Sequence, residues 1–239
     1  MYLRRQRSGT TTGRIALARQ LGPKAIAAYI RRRTWADSRF LGLACATGAI
    51  IVPPPASIPV VMKAAEEQRS RQFVAELPRV SGKDYHEVFA RVRMCDLGVQ
   101  TLYVASAPDG GAVYAQWLIG PEEHAALARA IARPLRPLAA DEMEVEGAYT
   151  FVEHRRKGAM ADGMHQLLEH ARTAGARRVI TYVGEDNVGS LRGCAAVGFT
   201  VDHVRVTRER LGTRRIVFKP IDERARRAWD AATAPRAKI

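Results

Sequence analysis

The segment that most constrains the fold is residues 154–164, "HRRKGAMADGM", in which three cations and a glycine precede an apolar pattern. That pattern continues at helical spacing through Leu168 and Ala171, so it predicts a helix that begins near Gly158. Residues 143–152, just before it, read as a strand. A strand that enters a helix through a glycine turn leaves backbone N–H groups free at the helix start, and these groups and the helix dipole attract anions. The segment is therefore either a phosphate-binding loop or a solvated helix cap; cations at a helix N-terminus are unfavourable without an anion, which favours the loop.

A second segment lies about thirty residues on, "NVGSLRGCAAVGF" at 187–199. Together the two segments resemble the motifs of the GNAT superfamily of acyl-CoA-dependent N-acetyltransferases, [R/Q]xxGx[G/A] and NxxAxxxYxxxGF. The resemblance covers roughly residues 60–220 and is specific over 143–200. The positions on pattern are Arg155, Gly158, Asn187, Gly198 and Phe199, with Ser190 in place of the small alanine.

Two positions depart from this pattern. Met160 stands where the first motif ends in Gly or Ala, so the helix start must accommodate a longer side chain. Cys194 stands where the family usually has a tyrosine that protonates the departing CoA thiolate. A cysteine has a pKa near that of the leaving thiol and could donate this proton, or it could be a small buried residue.

The resemblance implies a site for acetyl-CoA and no metal. The strand before the loop would pair with pantetheine through its exposed backbone, and the loop at the helix start would hold the pyrophosphate. The implied binding residues are Tyr149, Thr150, Val152, Arg155, Arg156, Lys157, Gly158, Ala159, Met160, Asn187 and Ser190.

Three carboxylates, Glu142, Glu144 and Glu146, recur at period two and so share one face of a strand. An amine is protonated near pH 7, and its attack on a thioester needs a base. Glu146 lies where the family often carries that base; the alternative is an ordinary exposed carboxylate. The backbone N–H near Thr150 would stabilise the oxyanion.

The acceptor pocket is expected from the helices within residues 66–96, from the hairpin at 207–215 and from "YAQWL" at 114–118. None of its residues has a spacing that identifies a substrate, and the lone histidines His124 and His203 read as structural. The polar groups that the helices and "YAQWL" would offer are Tyr85, His86, Glu87, Arg91, Tyr114, Gln116 and Trp117.

The order of elements predicts an α/β (α+β) fold. The resemblance implies a central mixed, mostly antiparallel sheet that splays in the middle and is flanked by helices. "PPPASIP" at 53–59 reads as an extended linker. We therefore expect a basic, amphipathic helical extension and Pro-rich linker over 1–57, a GNAT-like domain over 58–220 and a basic C-terminal helix or tail over 221–239.

The net charge of +14 comes mostly from scattered arginines. This disfavours nucleic-acid binding, which more often concentrates its cations on one element with aromatic residues between them.

The amphipathic residues 14–33 would pack on the domain or on a second subunit, as in a homodimer, or would lie on a membrane surface. The apolar run at 41–52 is too short to span a bilayer and no targeting segment is found.

The three cysteines are odd in number and form no CxxC pair, which argues against a disulfide framework and a zinc site and fits the cytoplasm.

Taken together, the motifs and the resemblance predict a cytoplasmic N-acetyltransferase that moves acetyl from acetyl-CoA to the amine of a small molecule or protein by direct attack. The alternatives are an acyltransferase for longer chains, from acyl-CoA or an acyl carrier, and a non-catalytic acyl-CoA-binding protein.

Overall fold

The computed structural model describes residues 35–65, 70–131, 135–211 and 213–234. The predicted helices of 14–33 lie outside the described residues. The strands are β1 Trp35–Ala46, β2 Met62–Ala64, β3 Leu102–Ser106, β4 Ala112–Ile119, β5 Glu142–Thr150, β6 Arg178–Gly184, β7 Thr200–Arg210 and β8 Thr213–Lys219. The α-helices are α1 Arg71–Glu76, α2 Gly82–Asp96, α3 Pro121–Ile131, α4 Ala159–Thr173, α5 Val188–Ala196 and α6 Glu223–Thr233, and short 3-10 turns cover Thr47–Ala49, Leu77–Arg79 and Val152–His154.

The strands form one sheet in the order β2-β3-β4-β5-β6-β1-β7-β8. Neighbours from β2 to β5 are antiparallel, β5 and β6 are parallel, and β6 and β1 are antiparallel. The predicted mixed, mostly antiparallel sheet flanked by helices is confirmed.

The position of β1 corrects the expected organisation. Residues 35–46, which the sequence analysis placed in a helical extension before the domain, form a strand between β6 and β7. Leu41, Leu43 and Cys45 are buried on one of its faces, and Phe40, Gly42 and Ala44 lie on the other. A strand inside a sheet lacks the clean apolar–polar alternation that marks a half-exposed strand. The sequence pattern therefore could not distinguish this apolar run from a short buried helix.

The described residues divide into two compact units. The larger holds residues 39–206 and 217–234 except for the undescribed gaps, and it contains every residue of the site described below. The smaller holds 35–38, 207–211 and 213–216, and inside it Arg210 pairs with Asp37 at 2.8 Å and Arg214 with Glu209 at 2.7 Å.

Each face of the sheet in the larger unit carries its own apolar core. On one face the buried stripe of α4 packs mainly against β4 and β5, since its apolar residues recur at helical spacing: Met164, Leu167, Leu168 and Ala171. On the other face α1 and α2 cover β3 and β4, where the ring of Phe73 stacks on Trp117 at 5.8 Å.

The sheet opens between β5 and β6. Their pairing begins at Glu142↔Arg178 and ends at Glu144↔Ile180, although β5 continues to Thr150 and β6 to Gly184. From Val145 onward the edge of β5 facing β6 is therefore unpaired, which is the predicted splay. Within the described parts of the chain, no helix is both long and apolar enough to pass through a membrane.

Candidate active site

A β-bulge lies on β5 where the sheet opens. Trp117 of β4 is opposite Glu146 and Ala115 is opposite Tyr149, so Gly147 and Ala148 together oppose the single residue between them. Gly147 has φ +66°, a left-handed conformation that favours glycine. The bulge redirects the strand immediately after Glu146.

Arg91 of α2 holds this bulge in place. Its Nε donates to the carbonyl of Gly147 at 2.9 Å and its Nη2 to the carbonyl of Ala148 at 2.6 Å, while Nη1 donates to Glu87 O at 2.6 Å. The guanidinium also lies 5.0 Å from the centre of the Tyr149 ring. Arg91 is buried, and the sequence pattern placed it only in the acceptor region; its partners became visible once the bulge was known.

The environment of Glu146 suits a base that works near neutral pH. Burial, helped by the nearby charge of Glu144, raises the pKa of its carboxyl to about 7, although Arg205, Arg91 and a hydrogen bond from the Gly147 backbone lower it. The ordinary value is 4.5. A carboxyl with a pKa near 7 is deprotonated often enough to accept a proton and basic enough to take it from an ammonium group.

The loop before α4 has the backbone shape expected of an anion site. Gly158 has φ +83°, and a Cβ at this position would lie 2.9 Å from Cα of Ala56. The predicted linker passes directly against the loop there, with Ser57 N donating to Lys157 O at 2.9 Å. Arg156 also has a positive φ, 63°. Ala161 N and Asp162 N donate to Gly158 O at 3.1 and 3.2 Å, so the N–H groups that a helix leaves without an internal partner are here those of Ala159 and Met160.

Arg155 connects this loop to α2. Its Nη1 donates to Asp84 at 2.8 Å and its Nε to the carbonyl of Thr150 at 3.2 Å, and its guanidinium lies 5.6 Å from the Tyr149 ring centre. The hydrogen bond to Asp84 raises the pKa of Arg155. Part of the positive charge predicted for a phosphate is therefore neutralised within the protein.

A cavity of about 710 Å³ lies between the loop before α4 and the end of β5 at residues 148–150, and Glu146 is not among the residues that line it. The N-termini of two helices open into it, α4 at Gly158–Met160 and α5 at Asn187–Ser190, and Asn187 caps α5 by accepting from Ser190 N at 3.2 Å. Two helix dipoles directed at one cavity make it favourable for anions. Most of the predicted cofactor residues meet here: Tyr149, Thr150, Arg155, Arg156, Gly158, Ala159, Met160, Asn187 and Ser190.

Two predicted cofactor residues are not among those lining the cavity. The Lys157 carbonyl accepts the hydrogen bond from Ser57 N described above. The N–H of Val152 donates to Glu76 Oε1 at 3.2 Å, and the Tyr149 hydroxyl donates to the same oxygen at 3.4 Å. Glu76 is buried and was missed in the sequence, since nothing in α1 signals that its carboxylate reaches the end of β5.

The structure explains how Met160 fits at the start of α4. A Cβ on Gly193 of α5 would lie 3.0 Å from Sδ of Met160, so the methionine fills the space that Gly193 leaves. Both residues line the cavity. The family pattern has a small residue where this chain has Met160, and a glycine in α5 provides the space for the longer side chain.

Cys194 is fully buried, and burial raises the pKa of its thiol to about 12. It does not appear among the residues that line the cavity, whereas Tyr114 of β4 does. The Tyr114 hydroxyl donates to Gln116 Oε1 at 2.7 Å, and burial raises the pKa of Tyr114 well above its ordinary value, with the nearby Cys194 as a further cause. The sequence identified Tyr114 and Gln116 only as acceptor-side residues; that Tyr114 and Cys194 belong to one apolar core became visible only in the structure.

Of the remaining candidates, Glu87 lines the cavity and Trp117 packs under the bulge. His124 Nε2 lies 3.0 Å from Glu144 Oε2, and both residues are buried. The predicted hairpin at 207–215 belongs to the smaller unit apart from Gly212, which is not described.

These residues fit acetyl-CoA. The cavity combines an anion site at two helix N-termini with an unpaired edge of β5, and a Cβ at Gly158 would fill the loop. In the described ranges, no group of three or more His, Cys, Asp or Glu residues is placed to hold a metal ion.

Comparison with known proteins agrees with this geometry. The sequence model of the acetyltransferase (GNAT) family matches residues 78–199. A GCN5-related glucosamine N-acetyltransferase region of a fungal multi-domain GH3 β-N-acetylglucosaminidase is similar in structure, with TM-score 0.53, 13% identity and coverage of 76% of this chain and 22% of that one. A GNAT-family acetyltransferase from Colwellia psychrerythraea has TM-score 0.50, 15% identity and coverage of 82% and 61%.

The chain thus matches about a fifth of the first of these structures and about three fifths of the second. A search of curated protein sequences finds no match. At these identities the structural likeness establishes the fold alone.

Proposed function

Because the chain belongs to the acetyltransferase (GNAT) family and is an acyltransferase enzyme, we propose that it transfers acetyl from acetyl-CoA to an amine by direct attack. The observation that carries the proposal is the placement of Glu146, a carboxyl whose pKa is about 7, beside the bulge at the open edge of β5. The acceptor is the amine of a small molecule or of a protein.

The cosubstrate supplies an activated acetyl thioester when bound. The N-termini of α4 and α5 would hold its pyrophosphate, with Arg156 and Lys157 adding charge near Gly158. The unpaired edge of β5 around Tyr149 and Thr150 would pair with the pantetheine, and a backbone N–H near Thr150 would stabilise the oxyanion. Arg155 positions this edge through the Thr150 carbonyl rather than acting as a free phosphate ligand.

Glu146 accepts a proton from the acceptor ammonium, directly or through a water. The nitrogen then forms a bond to the acetyl carbon as the carbon–sulfur bond breaks, and the new amide nitrogen releases its remaining extra proton to solvent. The sulfur leaves as a thiolate, which needs a proton to become the free thiol.

Two side chains compete for the role of donor to this thiolate. Cys194 is the residue that the sequence motif predicts, and it lies outside the cavity lining. Tyr114 lines the cavity, carries a protonated hydroxyl, and lies close enough to Cys194 for their charges to interact. We therefore favour Tyr114 as the donor, with Cys194 as the small residue that leaves room for the phenol.

The test is a measurement of thiol release from acetyl-CoA in the presence of a panel of amines, with calorimetric titration of acetyl-CoA, CoA and a longer acyl-CoA. Acetylated product with equal binding of CoA and acetyl-CoA supports the proposal. Affinity that grows with chain length supports the long-chain alternative. Binding without turnover of any amine supports the non-catalytic alternative.

A pair of variants tests the anion site without disturbing the fold. Ser190→Glu places a carboxylate at the N-terminus of α5, where a negative charge stabilises the helix but repels a bound phosphate. Ser190→Gln has the same shape without the charge. We expect the Glu variant to stay folded and lose most of its acetyl-CoA affinity while the Gln variant keeps it; equal affinities would remove α5 from the cofactor site.

We also infer a cytoplasmic location, which the odd number of cysteines and the lack of a CxxC pair support. A homodimer or a membrane contact would involve residues 14–33, which lie outside the described part of the chain.

A further inference from the structure

The stretch that reads as an extended linker in the sequence lies against the candidate site. The 49–60 segment runs from the end of α5 to the start of α4. At one end Ile51 N donates to the carbonyl of Val197 at 3.2 Å, and near the other Ser57 N donates to the carbonyl of Lys157 at 2.9 Å. One piece of chain thus contacts both helices whose N-termini open into the cavity.

Both glycines of the two family motifs lie against this segment. Gly158 has φ +83°, and a Cβ on it would lie 2.9 Å from Cα of Ala56. Gly198 has φ +101°, and a Cβ on it would lie 2.6 Å from the carbonyl oxygen of Ala49. Glycine suits a left-handed backbone and allows another backbone to approach closely. The absence of a side chain at both motif positions therefore lets the 49–60 segment pack there.

A side chain of α4 fixes the far end of the segment. Gln166 Nε2 donates to the carbonyl of Val60 at 2.7 Å, and Met62 N donates to Gln166 Oε1 at 2.9 Å. Between the contacts at Ile51 and Ser57 lie three prolines, Pro53–Pro55, whose rings restrict the backbone. The segment is therefore attached at three places and is stiff between the first two.

The hydrogen bond from Ser57 sets the orientation of one peptide group in the loop. The carbonyl of Lys157 and the N–H of Gly158 belong to the same peptide unit, and in a trans unit they point in opposite directions. Because Ser57 holds the carbonyl toward the segment, the N–H points away from it. Gly158 lines the cavity, and among the described residues its N–H has no hydrogen-bond partner.

We propose that Ser57 is a positioning residue: through its backbone N–H it holds the Lys157–Gly158 peptide so that the Gly158 N–H binds a phosphate of the cofactor. This N–H precedes those of Ala159 and Met160 and adds a third donor to the anion site. A donor that is oriented before the anion arrives loses little conformational freedom on binding. The inference rests on the proposed acetyl-CoA site and names a residue that shapes its pyrophosphate end.

Two variants at position 57 test the role of the N–H. Ser57→Pro removes it, whereas Ser57→Ala keeps it and loses only the hydroxyl contact with the Lys157 carbonyl at 3.4 Å. Calorimetric titrations use CoA, inorganic pyrophosphate, and pantetheine, which carries no phosphate. We expect Ser57→Pro to bind CoA and pyrophosphate roughly threefold to tenfold more weakly, the range for one hydrogen bond. Its affinity for pantetheine should be unchanged, and Ser57→Ala should match the wild type throughout.

Steady-state kinetics give a second readout. In Ser57→Pro the KM for acetyl-CoA should rise by the same factor while kcat at saturation stays unchanged, because the loop does not touch the reacting atoms. A merely structural role would weaken CoA and pantetheine alike or would lower kcat. Unchanged CoA affinity in a folded Ser57→Pro chain, or an equal loss for pantetheine, would overturn the proposal.

Gln166→Met releases the 49–60 segment from α4 without altering a residue that lines the cavity. It should show the same loss of affinity for CoA and pyrophosphate with no change for pantetheine. If Ser57→Pro does not fold, this variant decides: unchanged CoA affinity in Gln166→Met would refute the role of the segment.

The three ligands also separate this inference from the proposed acetyl transfer. A wild-type chain that binds pyrophosphate but not CoA, with the loss in Ser57→Pro, would refute acetyl-CoA as cosubstrate and leave the role of Ser57 standing. Binding of CoA that neither variant weakens would refute the role of Ser57 and leave acetyl transfer standing. Binding of neither ligand would refute both.

Discussion

The ring of Trp117 occupies the space that a side chain on Gly147 would need: a Cβ there would lie 2.7 Å from Cε3 of the indole. The indole is itself fully buried and stacked on Phe73, so it cannot move aside easily. The glycine, the tryptophan and Arg91 thus determine together where the chain turns away after Glu146.

Replacing this glycine tests how much of the site depends on the bulge. Gly147→Ala combines a left-handed backbone with a collision, and we expect it to lower the free energy of unfolding by about 2–4 kcal/mol. Gly110→Ala is the matched control, since Gly110 has φ +84° and a Cβ there would meet nothing within 4 Å, so it should cost only about 1–2 kcal/mol. Urea denaturation measures both; equal losses would show that Trp117 yields to the methyl group.

The pH dependence of the reaction should follow Glu146. Only the ionised carboxylate accepts a proton, so kcat/KM should rise with pH through an inflection near pH 7. Glu146→Gln should remove the inflection and reduce the rate more at neutral pH than at high pH, where the acceptor amine loses its proton unaided. Glu144→Gln removes a like charge and should move the inflection to lower pH. An inflection that persists in Glu146→Gln would assign the base to another group.

The same carboxyl should affect stability with the opposite sign to an ordinary surface glutamate. Its pKa is raised on folding, so between pH 4.5 and about 7 the folded protein holds a proton that the unfolded chain has lost. The free energy of unfolding should therefore fall as pH rises through this window. In Glu146→Gln this part of the decrease should be absent, and denaturation curves of both proteins at pH 5 and pH 8 measure the difference.

Removal of the Tyr114 hydroxyl separates the two candidates for proton donor. Tyr114→Phe should lower kcat roughly 10²-fold, as expected for loss of a general acid, without weakening acetyl-CoA binding. Gln116→Met breaks the same 2.7 Å hydrogen bond but keeps the phenol, and so should retain the rate while losing similar stability. Cys194→Ser should have little effect on kcat. A large loss in Cys194→Ser and none in Tyr114→Phe would return the role to the cysteine.

The contact between Met160 and Gly193 predicts non-additive effects on cofactor binding. Gly193→Ala alone should force the methionine into the cavity and weaken acetyl-CoA binding, even though alanine favours a helix over glycine by about 1 kcal/mol. Adding Met160→Ala should restore the affinity, because the collision is then removed. A double-mutant cycle of calorimetric affinities measures the coupling, and a coupling of zero would show that the two residues act independently.

Sequence reasoning identified the parts of the site that depend on local pattern. The helices α2, α4 and α5 were predicted from spacing within a single element, and the start of α4 near Gly158 from the residue preferences of a helix start. Asn187 was identified through the family motif and not as a helix cap. Strand alternation placed Glu146 on one face with Glu142 and Glu144, and the resemblance to the family singled it out as the base, which stays a prediction.

What sequence reasoning missed depends on contacts between distant segments. The carbonyls that Arg91 binds are exposed only because β5 bulges, and no pattern in α2 signals that bulge. Tyr114 and Cys194, 80 positions apart in the sequence, meet only because both are buried in one apolar core. Residues 35–46 were assigned to an extension because an interior strand and a short buried helix have the same apolar composition.

The place of β1 also bears on how the chain is made. Arg39 at one end of its pairing contacts Glu185, 146 residues later in the chain, so its neighbours in the sheet are synthesised long after it. During translation this apolar strand leaves the ribosome without a partner and must remain unpaired until β6 emerges. Closure of the sheet around the site is therefore a late event, and the exposed strand is the segment that a nascent-chain chaperone would be expected to cover.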